Sequence, residues 1–389
     1  MALLKGISKT IIALGFVSFL TDVSSEMISP LIPIFITGVL GAGIATLGLI
    51  EGIADSTASI FEVVSGRISD KIRKRKVPIL AGYSTSTLAK ALLPLTNTWP
   101  LVLIARFADC VGKGIRTSPR DALMTDITKK KSRGKAFGIQ RAFDSSGAFL
   151  GPLISALLLS VLVLPPLAAY QTVFAVALVP AAFAVLVIIL FVRETKPKKT
   201  AKTFKLAIKS LTPRFKKFMF VYLFFSLSYF SFAFLIVRAY NLGFSVTLTL
   251  AMYAGFSAVQ SLTSIPFGSL SDRIGRKKVI LLGFLLYAAI CAGFAFATSA
   301  WMTMPLFALY GLFLAIDDVV VRTYVADLSR GWARATSIGT FNTLSSVVYL
   351  PASIAAGLIW AAAGAQLTFG FAALISLISA AGLIIFCRE

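Results

Sequence analysis

Apolar residues run through this chain in blocks of about twenty, separated by short polar loops, and that spacing leaves few folds open. A helix rises 1.5 Å per residue, so roughly 20 apolar residues cross the hydrocarbon core of a bilayer. Twelve such runs occur in the 389 residues, at roughly 8–37, 44–66, 77–96, 99–122, 134–162, 168–193, 216–240, 247–270, 278–298, 302–328, 335–360 and 364–387. Charged residues make up only 14% of the chain, against about 25% in a soluble domain. The pattern predicts a polytopic, all-α membrane protein. The first run, from Ile11, is too long for a cleaved signal and carries acids, so it reads as the first span.

A net charge of +22 raises the question of nucleic acid, and the placement of the charge answers it in the negative. The loops after runs 2, 4, 6, 8 and 10 hold most of the Lys and Arg, as in Arg67 to Lys76, Lys129 to Lys135 and Arg193 to Lys217. The loops near 38–46, 94–100, 163–170, 297–303 and 361–367 hold none. By the positive-inside rule, the basic loops and both termini face the cytoplasm, in a multi-pass protein of the cell (inner) membrane with an anionic inner leaflet beside it. The stretch from Arg193 to Lys217 contains Pro197, Pro213 and ten basic residues. It reads as a linker, with a helix over 204–211 lying on that leaflet. Three cysteines, Cys110, Cys291 and Cys387, sit far apart in apolar surroundings and read as packing residues, not a disulfide or metal set. Histidine is absent, so any proton carrier must be a carboxylate.

The chain is also internally repeated. Gly66-Arg67-Ile68-Ser69-Asp70-Lys71-Ile72-Arg73-Lys74-Arg75-Lys76 returns as Gly268-Ser269-Leu270-Ser271-Asp272-Arg273-Ile274-Gly275-Arg276-Lys277-Lys278, offset by 202. Asp126 and Arg133, seven apart, return as Asp327 and Arg334, and Gly138 as Gly339, offset by 201. Two homologous halves in an apolar chain usually flank a transport path. The expected domains are 1–193, a linker over 194–215, and 216–389.

The pattern Gly-x-x-x-Asp-(Arg/Lys)-x-Gly-(Arg/Lys)-(Arg/Lys) resembles the loops between helices 2 and 3 and between helices 8 and 9 of the major facilitator superfamily. The second copy matches in full. The first has Arg73 where the family has Gly, so its turn must form without a residue that tolerates positive φ freely. The resemblance covers essentially the whole chain. It implies twelve transmembrane helices in two pseudo-symmetric six-helix bundles, with no cofactor and the chain acting as a monomer. It also implies that Gly66, Asp70, Asp126, Arg133, Gly268, Asp272, Arg273, Asp327 and Arg334 belong to a cytoplasmic latch between the halves. The plainer alternative is that these loop charges only set topology.

Ionisable side chains at helix centres cost roughly 2.5–3.5 kcal/mol each on insertion scales, so each one here needs a reason. The first run carries Asp22 and Glu26; the second Glu51, Asp55 and Glu62; the third Lys90; the fourth Arg106, Asp109, Lys113 and Arg116; the fifth Arg141 and Asp144. In the second half, Arg238, Asp317, Asp318 and Arg322 are all there is, and the seventh run is aromatic instead, with Phe224, Phe225 and Tyr229. The first half thus reads as an ionic half, and the second as an apolar and π-rich wall. Asp22 and Glu26 lie four apart and share a helix face, and Arg106, Asp109, Lys113 and Arg116 step by three, four and three along another.

In the resembled fold, helices 1, 4, 7 and 10 line a central cavity, which implies that Asp22 and Glu26 stand across from Arg106. Burial disfavours a charged carboxylate and a nearby guanidinium favours it, so relative movement of the two would drive proton uptake and release. A static buried ion pair is the alternative. On this reading Asp22, Glu26 and Arg106 couple protons, and Asp22, Glu26, Lys90, Arg106, Arg141 and Tyr229 contact the substrate. Glu51, Asp55 and Asp144 form a second acidic site or a gate, or else structural ion pairs. Gly147, Gly151 and Pro152 make a close-packing, kinking motif on the fifth helix. They resemble part of the motif of family members that exchange substrate for protons, although the family's trailing glycine pair is absent.

The leading expectation is a proton-coupled transporter exporting small organic compounds by antiport. Proton-linked transport of an anionic metabolite or siderophore-like chelate, or of a divalent metal ion held by hard oxygen ligands, stays open. A sensor or scaffold has no supporting motif. An enzyme lacks the zinc-protease motif, a histidine base and a phosphate loop.

Overall fold

The computed structural model describes residues 8–128, 132–194, 211–329 and 334–387, except the side chains of 334–336. The linker segment 195–210, with the helix expected over 204–211, lies almost wholly outside the described residues. Among the described residues all regular structure is helical, and helix occupies each of the twelve apolar stretches. Among the described residues, seven helical segments are long and apolar enough to cross a membrane: Lys9–Val39, Ile44–Ile72, Arg133–Val161, Pro166–Phe191, Arg276–Phe296, Ala300–Asp327 and Ser337–Phe386. The last holds two of the stretches, which meet at Gly364, where φ is 86°.

The other stretches are helical but fall short for visible reasons. Lys76–Leu92 has 17 residues, and Trp99–Ile127 is loaded with charge. Val246–Ile274 is threaded with Thr247, Thr249, Ser257, Gln260, Ser261 and Thr263. The seventh stretch is two pieces, Pro213–Ser226 and Ala233–Asn241, with the backbone leaving helical form between them around Tyr229. A π-helical turn over Asp317–Val321 interrupts the tenth. Such turns insert one extra residue and recur at functional sites.

The chain divides into two compact units, 8–40 with 57–194 and 41–56 with 211–387. The stretch 41–56, which the expected boundaries assign to the first half, packs within the second unit. Ser56 donates to the Ser346 carbonyl at 3.0 Å, and a Cβ on Gly52 would stand 3.0 Å from the Leu350 carbonyl. The first unit is built on a cluster in which Ile11, Leu14 and Val17 of Lys9–Ile28 meet Ile79, Tyr83, Leu123 and Ile188. The core of the second is aromatic. Phe225 stacks on Phe284 at 4.2 Å between centroids, and Tyr222 leans on Phe341 at 4.7 Å.

Candidate functional site

The first helix presents Asp22 and Glu26 on one face, and the helix Arg133–Val161 lies directly against that face. Gly147 and Gly151 make the contact possible. A Cβ on Gly147 would stand 2.7 Å from the Phe19 carbonyl oxygen and 2.9 Å from the Asp22 Cβ; one on Gly151 would meet the Val23 carbonyl oxygen at 2.8 Å and the Glu26 Cβ at 2.9 Å. Both acids are therefore backed by glycine at their Cβ atoms. Ser155, one turn further on, donates to the Met27 carbonyl at 2.9 Å and continues the seam. The expected close-packing motif thus lies against the two acids.

Cations gather from two further helices. Lys90 is fully buried, 2% exposed, and its Nζ donates to Ser24 Oγ at 3.0 Å and Ser25 Oγ at 2.8 Å, on the turn between the two acids. Asp109 accepts a short hydrogen bond from Ser86 and stands 4.0 Å from the Arg106 guanidinium. The guanidinium of Arg116, also buried, lies 4.3 Å over the Tyr83 ring. Arg120 donates to Ser18 at 3.1 Å and, with the Gln140 carboxamide turned to present its oxygen, to Gln140 at 2.9–3.1 Å. The charged groups around Asp22 include Asp144, Arg116, Glu26 and Arg120. Arg116 and Arg120 sit roughly three to four turns beyond Arg106 on the same helix face. Arg120 was legible as the next step of the three-four spacing that runs through Arg106, Asp109, Lys113 and Arg116. Lys113 and Arg141 are exposed, and Arg141 acts on Asp144 together with Arg120.

The remaining candidates fall in the second unit. Glu51 is buried at 2% exposure and accepts from Ser231 Oγ at 3.1 Å; Asp55 is exposed. Tyr229, in the break of the seventh stretch, packs edge-on against Tyr349, Phe313 and Tyr287 with centroids 5.2–5.7 Å away. Asp317, in the π-helical turn, accepts from Tyr222 at 2.8 Å, and Asp318 accepts from Gln260 at 2.6 Å and pairs with Arg322 at 3.1 Å. Among the described residues no group of three or more His, Cys, Asp or Glu is placed to hold a metal ion.

In the basic loops, the structure brings out two arginines that the sequence left among the bases. Arg75 contacts Asp70 at 2.6 Å, Ser69 at 2.9 Å and Asp126 at 3.3 Å. Arg276 contacts Asp272 at 3.4 Å, the Thr323 carbonyl at 2.9 Å and Asp327 more closely still. The acids expected in a latch are therefore bridged within their own unit, each pair by one arginine. Aligning the loops with one gap would have found this. Asp70 and Arg75 are five apart while Asp272 and Arg276 are four apart, which also explains why the repeat offset drops from 202 to 201. Arg133 donates to the Thr125 carbonyl at 3.3 Å; Arg273 is exposed, and the side chain of Arg334 lies outside the described residues. Gly66 lies against Ser118 and Gly268 against Val319, each at a helix contact within its own unit.

The Major Facilitator Superfamily model matches residues 14–240 and 218–389. An uncharacterized MFS-type transporter of Methanocaldococcus jannaschii is 39% identical over 382 residues, covering 96% of this chain and 94% of the relative. The multidrug resistance protein MdtG of Proteus mirabilis is 26% identical over 305 residues, 74% of this chain and 73% of that one. Among solved structures, the nucleoside transporter NupG superposes with a TM-score of 0.80 at 12% identity, covering 98% of this chain and 100% of that chain, a likeness of fold alone. Taken with the duplicated loops and the helical architecture, these matches show that the chain belongs to the Major Facilitator Superfamily and is a membrane transporter, not an enzyme.

Proposed function

We propose that this transporter works by proton antiport, exporting small organic compounds by alternating access between its halves, with both termini in the cytoplasm. The observation that carries the reading is the packing of Gly147 and Gly151 onto the backbone of Asp22 and Glu26. It fixes two membrane-embedded acids in one close-packed seam, with Asp144, Arg116 and Arg120 among the charges around Asp22. Embedded ionisable groups mark ion and substrate paths. Asp22 and Glu26 exchange the proton with the substrate, Arg116 and Arg120 modulate Asp22, and Arg106 with Asp109 extends the charged face. Tyr229 and its ring neighbours supply an apolar and π-rich wall. The 26% identity to a multidrug resistance protein fits export of organic compounds. Arg75 and Arg276 each brace the basic loop of their own unit.

Proton release from detergent-purified protein tests this, on adding cationic, anionic and metal candidates, with Asp22→Asn and Glu26→Gln alongside. A cationic or neutral organic compound that releases protons from the parent, and from at most one of the two variants, supports the reading. Binding without release from any compound rejects proton coupling. A second reading, proton-linked transport of an organic anion, rests on the buried Lys90. Release on adding anions alone, abolished in Lys90→Gln, selects it.

A further inference from the structure

We propose that the cleft between the start of Lys9–Ile28 and the end of Pro166–Phe191 is a binding site for one anionic phospholipid. The cleft measures ≈ 670 Å³. Its walls are apolar, with Ile12, Phe16, Leu190 and Phe191, and its polar end carries Lys9 and Arg193. The two helices meet the protein core chiefly through other residues, Ile11, Leu14 and Val17 on one and Ala184 and Ile188 on the other, with Ala13 and Val187 touching both core and cleft. At about 100° per residue, the cleft therefore opens on the outer side of the pair. Phe16, Leu190 and Phe191 are 42%, 63% and 62% exposed there, as side chains bathed in acyl chains would be.

The rim is positive. Among the described residues neither Lys9 nor Arg193 pairs with an acid. Glu194, the nearest carboxylate in sequence, is engaged by the backbone N–H groups of Arg75 and Lys76 at 2.7 and 3.1 Å. Lys76 also donates its Nζ to the Ile189 carbonyl at 2.9 Å, adding a third cation to this end. Two basic side chains above an apolar trough fit a phosphate with an acyl chain below it. A soluble anion gains nothing from the trough, and a zwitterionic lipid gains less from the rim. Lysine and arginine that merely snorkel to the interface would show no preference between lipids of equal chain length. The site is independent of what the transporter carries.

Native mass spectrometry of the purified full chain decides, with phosphatidylglycerol and phosphatidylcholine of identical chains and with glycerophosphoglycerol as the headgroup alone. One phosphatidylglycerol is expected to be retained at least 5-fold better than phosphatidylcholine, and the bare headgroup not at all. Lys9→Gln with Arg193→Gln should remove that retention, while the matched loop pair Lys277→Gln with Lys278→Gln should keep it. Leu190→Trp, at a lining residue exposed away from the core, leaves the charges and fills the trough, and should also remove it; this variant decides if the double variant fails to fold. Equal retention of the two lipids, equal loss in the control pair, or full retention in Leu190→Trp overturns the proposal.

Discussion

Arg73 holds φ at 54°, a region that an L residue enters at a cost of about 1–2 kcal/mol. The matching turn in the second half uses Gly275 at φ 96°. Exchanging the two residues should therefore have opposite effects. Arg73→Gly is expected to stabilise by up to about 1 kcal/mol and raise the thermal midpoint, whereas Gly275→Arg should cost about 1–3 kcal/mol. Thermal unfolding followed by size-exclusion chromatography reads both; a fall in midpoint for Arg73→Gly would mean that the guanidinium makes a contact worth more than the strain. Arg75 is a different case, since its side chain is only 6% exposed and serves two acids at once. Its loss in Arg75→Ala should cost about 1–2 kcal/mol, discounted for the exposure of Asp70. Lysine should not restore it, because a point charge cannot reach both carboxylates as a planar fork does. Such an asymmetric residue is hard to find by reading: Arg75 is one of six bases between Arg67 and Lys76, and only the fold says which of them turns inward.

Among the helices, the seam between Lys9–Ile28 and Arg133–Val161 is a close-packed part of the candidate site. Gly151→Leu places a side chain where the Val23 carbonyl and Glu26 already stand. It should separate the helices, cost about 1–3 kcal/mol and abolish substrate-driven proton release, while Gly138→Leu, where a Cβ would meet open space, should leave both unchanged. Equal behaviour of the two variants would show that the seam carries no function. Much of this was legible beforehand. Asp22 and Glu26 share a face by spacing alone, and Gly-x-x-x-Gly announces a close partner. What could not be read was that these two features face each other, because no local rule says which helix lies against which. The identity of the guanidiniums around Asp22 was hidden for a similar reason. A helix with Arg106, Arg116 and Arg120 on one face offers three levels in the membrane, and only packing selects among them.

At the scale of the whole molecule, the apolar runs and the two loop copies already carried the architecture, because membrane helices are specified by length and charge placement rather than by detailed packing. The interruptions were not legible, since Ser226 to Phe232 contains neither Gly nor Pro to announce a break. Topology follows from charge, and single cysteines test it in a background where Cys110, Cys291 and Cys387 are replaced. Lys278→Cys should react with a membrane-impermeant thiol reagent only in inside-out vesicles, and Val163→Cys only in right-side-out ones; the reverse labelling would invert the assignment. The break in the seventh stretch has a consequence of its own. A helix that stops and restarts within the membrane has four ends instead of two, and each inner end carries about half an elementary charge. Ser231 sits at the restart, accepting from the Ala233 N–H at 3.3 Å and donating to Glu51 at 3.1 Å. The buried carboxylate thus stands at the positive pole of a half-helix, so the loss of one hydroxyl, Ser231→Ala, would part an acid from a macrodipole as well as from a neighbour.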